Sequence, residues 1–274
     1  MSIFRKNKNT PEQQGNTMLH KKLNFAATEA YKLLRTNLMF TLPDEKKCRV
    51  VGVTSSSRGE GKSTTAINLS YTLAETGKRV LLIDADLRLP SVAKKLDIKS
   101  SPGLSNVLAG AESEETVVSI SDEQENWVIL PSGDIPPNPT EMLSSSQMKQ
   151  LVERLSASYD FIVIDLPPVN IVSDALVISS VLDGMIVVVR ENYSGRRELQ
   201  SCMRQLKLSG VKILGFVMNT VSDGSSPYGK YKYYKRYGHG YGDYSAETPN
   251  EPQTESFVEP ENISDDSLDE AWLQ

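Results

Sequence analysis

Short, mostly apolar runs at 50–54, 79–83 (led by Arg79), 161–164, 185–189 and 213–218, and a weaker one at 127–130, are spaced along the middle of the chain. Within each run the apolar residues are continuous and do not alternate with polar ones, which predicts strands buried on both faces. Helical spacing fills the gaps. Ala66, Leu69, Leu73 and Ala74 share one face of an amphipathic helix that opens at Lys62, and Gly77 is placed to stop it. An earlier helix begins near Phe25, with Ala30, Leu33, Leu34 and Leu38 on one side, and Pro43 and Asp44 ending it. Glu29, Lys32 and Arg35 lie on its other side, where ordinary solvated ion pairs account for them. Thr140 is expected to cap a helix carrying Leu143, Met148, Leu151, Val152 and Leu155 towards a core. Further helices are expected at 104–108 and 196–208, with loop and helix alternating over 169–182. Residues 112–125 read as an acidic surface segment, and the four prolines at 131–139 as a fixed irregular loop. Strands separated by helices predict an α/β fold, its mainly parallel sheet covered on both faces.

The periodicity covers 23–221 only. Residues 1–22 are polar and read as a disordered lead-in. Residues 222–274 read as a flexible tail of two parts. Tyr228, Tyr231, Tyr233, Tyr234, Tyr237, Tyr241 and Tyr244 are interleaved with Gly, Lys and Arg, and the acidic end beyond Arg236 has no Lys or Arg. A low-complexity linker and a base-stacking RNA tail are both open readings of the cluster, although the acidic end and the net charge of −5 disfavour nucleic acid. Two cysteines make no disulfide or metal framework and suit a reducing cytosol. No apolar run reaches the ~20 residues of a membrane helix, so a membrane link is expected only through a partner.

The chemistry concentrates at 50–64, VVGVTSSSRGEGKST: a strand, a small-residue turn and a helix start. In that order the loop amides of Ser57, Arg58, Gly59, Glu60 and Gly61 and the helix N-terminus face an anion. Lys62 reaches terminal phosphates, and the hydroxyl of Ser63, followed by Thr64, is placed to ligate Mg²⁺. The strict phosphate-loop pattern has Gly where Ser56 stands. Asp84 and Asp86 exit the second strand and Asp165 ends the strand at 161–164, at the sheet edge where ligands bind. Helix capping and salt bridging are the alternative roles for the first two. The fold class expected is a three-layer P-loop NTPase.

The ordered set EAYKLLRTN, SSSRGEGKST, VLLIDADLR and FIVIDLPP, with PSGDIPPNPTEML and the tyrosine cluster, resembles the bacterial protein-tyrosine kinases (BY-kinases) over residues 22–244. It is most similar to the separate cytoplasmic kinases of capsule and exopolysaccharide operons. Partition and positioning ATPases of the ParA/MinD type share the phosphate-site strands, but their signature Lys is Ser57 here. They supply the alternative, an ATP-driven assembly switch without kinase activity.

The resemblance implies ATP and Mg²⁺ as cofactors. Lys62, Asp84, Asp86 and Asp165 are the implied catalytic set, with Ser63, Asp86 and Asp165 at Mg²⁺ and Asp84 accepting the phenol proton. Arg88 is implied for phosphate or site organisation and Asn219 for adenine. The seven tail tyrosines become acceptors in trans. Glu29, Lys32 and Arg35 become a subunit contact in a ring-like homo-oligomer, although Lys32 stands where the family has Arg. Implied partners are the cytoplasmic tail of a membrane polysaccharide chain-length adaptor, which recruits the kinase to the inner membrane face, and a protein-tyrosine phosphatase.

Overall fold

The computed structural model describes residues 23–42, 46–120 and 124–220. The lead-in 1–22, Pro43 and Asp44, the tail 222–274 and its tyrosines lie outside the described residues. Helix α1 (Phe25–Thr41) starts at Asn24, whose side chain accepts the Ala27 amide. The expected buried face is rotated. Leu34 and Leu38 pack inward with Leu42, but Leu33 is 59% exposed and Ala30 is also exposed. A 34–38–42 seam is a period of four, and Arg35 holds it by donating to the Thr72 carbonyl at 2.7 Å.

Strand β1 (Arg49–Ser55) leads through the phosphate loop into α2 (Lys62–Ala74), and Gly77, at φ +80°, donates to the Ala74 carbonyl as the expected stop. Helix α2 is not amphipathic in place. Its polar Thr65, Asn68, Ser70 and Thr72 are buried along with Ala66, Leu69 and Leu73. Two hydroxyls on that face are tied down: Thr72 donates to the Asn68 carbonyl, and Ser70 accepts from the Trp127 indole at 3.0 Å.

Strand β2 (Val80–Asp84) is followed by the short helices α3 (Val92–Leu96), α4 (Leu104–Leu108) and α5 (Glu114–Val117). A two-residue strand, β3 (Ser119–Ile120), then pairs antiparallel with β4 (Trp127–Leu130). Two residues are too few for a hydrophobic period, so β3 was hidden in the acidic segment. The single helix expected after Pro139 is two, α6 (Pro139–Leu143) and α7 (Ser146–Ser156). Asn138 takes the N-cap position and Pro139 the first turn, leaving Thr140 inside α6. Ser145 restarts the helix by accepting the Met148 amide, and all five expected core residues are still buried.

The remaining elements are β5 (Phe161–Asp165), α8 (Asp174–Val177) with a 3-10 turn (Ile178–Val181), β6 (Gly184–Arg190), α9 (Arg196–Leu208) and β7 (Ile213–Asn219). The sheet order is β3-β4-β2-β5-β1-β6-β7, with every pairing parallel except β3 with β4. Side chains alternate across it. Val51, Val53, Phe161 and Val163 pack with α1 and α2; Val50, Ile162 and Ile164 pack with α7, α8 and α9. This is the expected three-layer α/β fold, and it sets the carboxyl ends of β2, β5 and β1 side by side. Among the described residues no helix is long and apolar enough to cross a membrane.

Candidate active site

The loop between β1 and α2 turns through Gly59 at φ +78° and Gly61 at φ +100°, both in the left-handed region. A Cβ on Gly61 would stand 1.9 Å from the Asn219 amide nitrogen, so only glycine fits there. Ser56, in place of the usual glycine, is buried and uses its hydroxyl. It donates to one Glu60 oxygen at 2.8 Å while the other accepts the Ser57 amide at 2.8 Å. Ser194, in the turn after β6, also donates to Glu60. The Glu60 side chain is therefore a latch under the loop, and only its backbone is left for a ligand. Gly61 caps α2 with no side-chain bond, so the first amides of that helix have no competing partner from the cap.

Asp84 and Asp165 end adjacent strands and are register partners, while Val53 pairs with Asp165 on its other side. The Lys62 ammonium lies 2.8 Å from Asp86 and 3.7 Å from Asp165. Asp84 accepts the amides of Asp86, Ser91 and Val92 at 3.0–3.2 Å, and Asp86 also accepts the Leu89 amide. The capping role left open for these two aspartates is thus real for Asp84 at the start of α3, and the salt-bridging role is real for Asp86, which holds the lysine.

Three buried carboxylates face a single ammonium, and the protonation equilibria follow. Burial, then the charge of Asp165, pushes Asp84 up to about 7. Burial likewise raises Asp165, against the pull of Lys62. Burial works against the Lys62 charge, but Asp165 and Asp86 outweigh it and hold its pKa above the ordinary lysine value. Neither Asp165 oxygen accepts a hydrogen bond among the described residues, although both are buried. An orphaned carboxylate beside a serine hydroxyl and a second carboxylate is a hard-oxygen donor set, and it fits Mg²⁺. No group of three His, Cys, Asp or Glu able to hold a metal occurs among the described residues. Mg²⁺ is commonly held by one or two carboxylates together with phosphates and water.

Arg88 points away from this cluster. Its guanidinium bonds Asp174 at 2.9 Å and Thr140 at 2.8 Å, and Thr140 donates to Asp174 at 2.6 Å. These bonds tie the exit of β2 to α6 and α8. Asn219 donates to the Glu60 carbonyl at 2.9 Å and accepts the Thr220 amide at 2.9 Å. On α1, Lys32 pairs with Glu29 at 2.8 Å as a surface pair, while Arg35 turns inward to Thr72.

Residues 48–211 match the AAA domain family. The chain is 39% identical over 207 residues to the tyrosine-protein kinase YwqD of Bacillus subtilis, an overlap of 76% of this chain and 86% of that protein. The chain belongs to the bacterial tyrosine-protein kinase family. The kinase domain of Escherichia coli tyrosine kinase ETK superimposes with a TM-score of 0.66 at 30% identity, covering 73% of this kinase and 79% of that chain. The septum site-determining protein MinD of Pyrococcus horikoshii, complexed with Mg-ADP, gives 0.54 at 28% identity over 64% and 72%. The kinase likeness is therefore the stronger in both sequence and fold.

Sequence reasoning missed several residues that shape this kinase site. Thr140 is legible in the sequence only as a helix cap, Asp174 lies in the stretch expected to alternate loop and helix, and Arg190, Tyr193 and Ser194 carry no motif. A polar cluster directly after a fully apolar strand is the one local signal that points to the last three.

Proposed function

We propose that this kinase moves the γ-phosphoryl group of ATP onto tyrosine hydroxyls of its own cluster, Tyr228 to Tyr244, in neighbouring copies. Such transfer depends on positioning and charge neutralisation. The loop amides of Ser57 to Gly61, with Lys62, Ser63 and Thr64 at the helix start, hold the phosphates, and Arg88 braces the loop after β2. Asn219, at the end of β7, would take the adenine. Mg²⁺ held by Ser63, Asp86 and Asp165 would neutralise charge on the phosphate oxygens. The phenol is a poor nucleophile at its ordinary pKa near ~10. Asp84, poised at about 7, accepts its proton as the oxygen attacks phosphorus and ADP leaves. The observation that carries the reading is the orphaned Asp165 carboxylate 3.7 Å from the phosphate-loop lysine.

Assembly of copies through the Glu29, Lys32 and Arg35 helix brings a tail to a neighbour's site. Each phosphate adds about −1.5 to −2 charge, which drives the copies apart. A membrane chain-length adaptor recruits the kinase to the inner membrane face and activates it, a tyrosine phosphatase resets it, and the cycle regulates capsular and exopolysaccharide synthesis. A positioning switch of the MinD type is favoured only by the weaker structural likeness. Mass spectrometry of the tail after incubation with Mg-ATP and the adaptor tail separates the two. Phosphotyrosine should appear at 228–244 and vanish in Lys62→Met. Hydrolysis of ATP with unmodified tyrosines would overturn the kinase reading.

A further inference from the structure

The outer side of the phosphate loop is bound as closely as the inner side is charged. Three consecutive loop carbonyls each accept a side-chain donor from beyond the loop. The Arg58 carbonyl accepts the Tyr193 hydroxyl at 3.1 Å, the Gly59 carbonyl accepts the Arg190 guanidinium at 3.2 Å, and the Glu60 carbonyl accepts the Asn219 amide at 2.9 Å. All three donors come from one place. Arg190 and Asn219 are register partners at the carboxyl ends of β6 and β7, and Tyr193 lies in the turn that follows β6. The Arg190 guanidinium also sits 5.0 Å over the Tyr193 ring, so the two donors brace each other.

A trans peptide is planar, with its C=O and the next N–H pointing opposite ways. Fixing the carbonyls of 58, 59 and 60 outward therefore turns the N–H groups of Gly59, Glu60 and Gly61 to the other side of the loop. Those are the amides an anion needs. Glycine permits the approach: a Cβ on Gly59 would lie 3.3 Å from the Tyr193 oxygen, and one on Gly61 would collide with Asn219. A loop with two left-handed glycines has many alternatives, and an ordering cost would otherwise be met on binding.

We propose that Arg190 and Tyr193, with Asn219, are positioning residues that preset the phosphate-binding amides of 59–61, so that affinity for the nucleotide phosphates depends on side chains that need not touch them. The proposal rests on the nucleotide-binding half of the function above and is independent of where the phosphoryl group goes.

The test is a titration of the full chain with a fluorescent ADP in Mg²⁺, comparing Tyr193→Phe, Arg190→Met and Arg190→Lys with the parent. Each lost pin should weaken binding about two- to tenfold. Arg190→Lys, which keeps a donor, should recover most of the loss. Amide hydrogen exchange over 56–62 should quicken in the weakened variants without added nucleotide, while their melting temperatures stay within a few degrees of the parent. In transfer assays KM for ATP should rise with kcat nearly unchanged. Tyr193→Phe removes one oxygen and keeps the ring, so it reports on the pin even if Arg190→Met does not fold. Parent-like affinity and exchange in Tyr193→Phe and Arg190→Met would overturn the proposal, as would a fall in kcat with KM unmoved. ADP binding is read without any transfer, so a failed kinase reading leaves this result standing.

Discussion

The two sides of the phosphate loop are held by opposite means. Towards β2 and β5, three buried carboxylates share one ammonium, one carboxylate accepts no hydrogen bond, and the pKa values of Asp84 and Asp165 are driven up. Towards β6 and β7, the loop carbonyls from 58 to 60 are paired and the Glu60 carboxylate has three donors. The first side is under electrostatic stress that a divalent cation and phosphates relieve; the second is satisfied within the chain. The difference teaches that this fold stores its binding capacity where its polar groups lack partners and its rigidity where they do not.

The largest effect should come from relieving the stressed side by mutation. Asp165→Asn removes a buried charge whose folded pKa is raised, so the ionised form works against the fold at all pH values above the usual carboxylate range. We expect the variant to melt ~2–4 °C higher, as ~1 kcal/mol gives for a domain of this size. Phosphate transfer should fall by roughly a thousandfold or more, a typical scale for losing a charge-stabilising group. A lower melting temperature together with retained activity would break the comparison, because Asp165 would then be an ordinary core partner.

Much of the stressed side was legible in the sequence. A carboxylate directly after four continuous apolar residues is bound to stand at a strand end, and Asp84 and Asp165 do. The strand runs, α4 and α9 likewise fell where the hydrophobic period put them. The satisfied side was not legible. Its bonds join Arg58 and Gly59 to Tyr193 and Arg190, which meet only because β6 lies beside β1 in the finished sheet. No local period encodes that register. The rotated face of α1 failed for a related reason, since its apolar residues outnumber those its partner α2 covers, and Arg35 settles which side turns in. The break between α6 and α7 lay in Ser145, whose capping preference the apolar pattern overran.

A smaller effect should follow from loosening the satisfied side. Ser194→Ala takes one donor from the buried Glu60 carboxylate and the acceptor of the Arg190 amide, but leaves Ser56 and the Ser57 amide. The expected cost is about 1–3 kcal/mol of stability, measured by urea denaturation, because a hydrogen bond to a charged buried group is lost. Ser194→Thr keeps the hydroxyl and should recover part of it. A cost near zero for Ser194→Ala would mean that Glu60 is held by the loop alone and that β6 contributes nothing to it.

The smallest effect is a rate. Cys202 on α9 is fully buried, and its thiol is pushed up to about 12, first by burial and then by the Glu60 charge. A thiol reagent at pH 8 therefore meets almost no thiolate and reacts with Cys202 only through opening of the structure around it. If that opening runs through the Glu60 latch, Ser194→Ala should speed Cys202 labelling several-fold below the unfolding transition, followed by mass spectrometry to separate it from Cys48. Asp165→Asn, on the far side of the loop, should leave the rate as it is or slow it. Equal acceleration by both substitutions would mean that the two sides open as one unit, and the contrast between them would then be electrostatic only, without a mechanical counterpart.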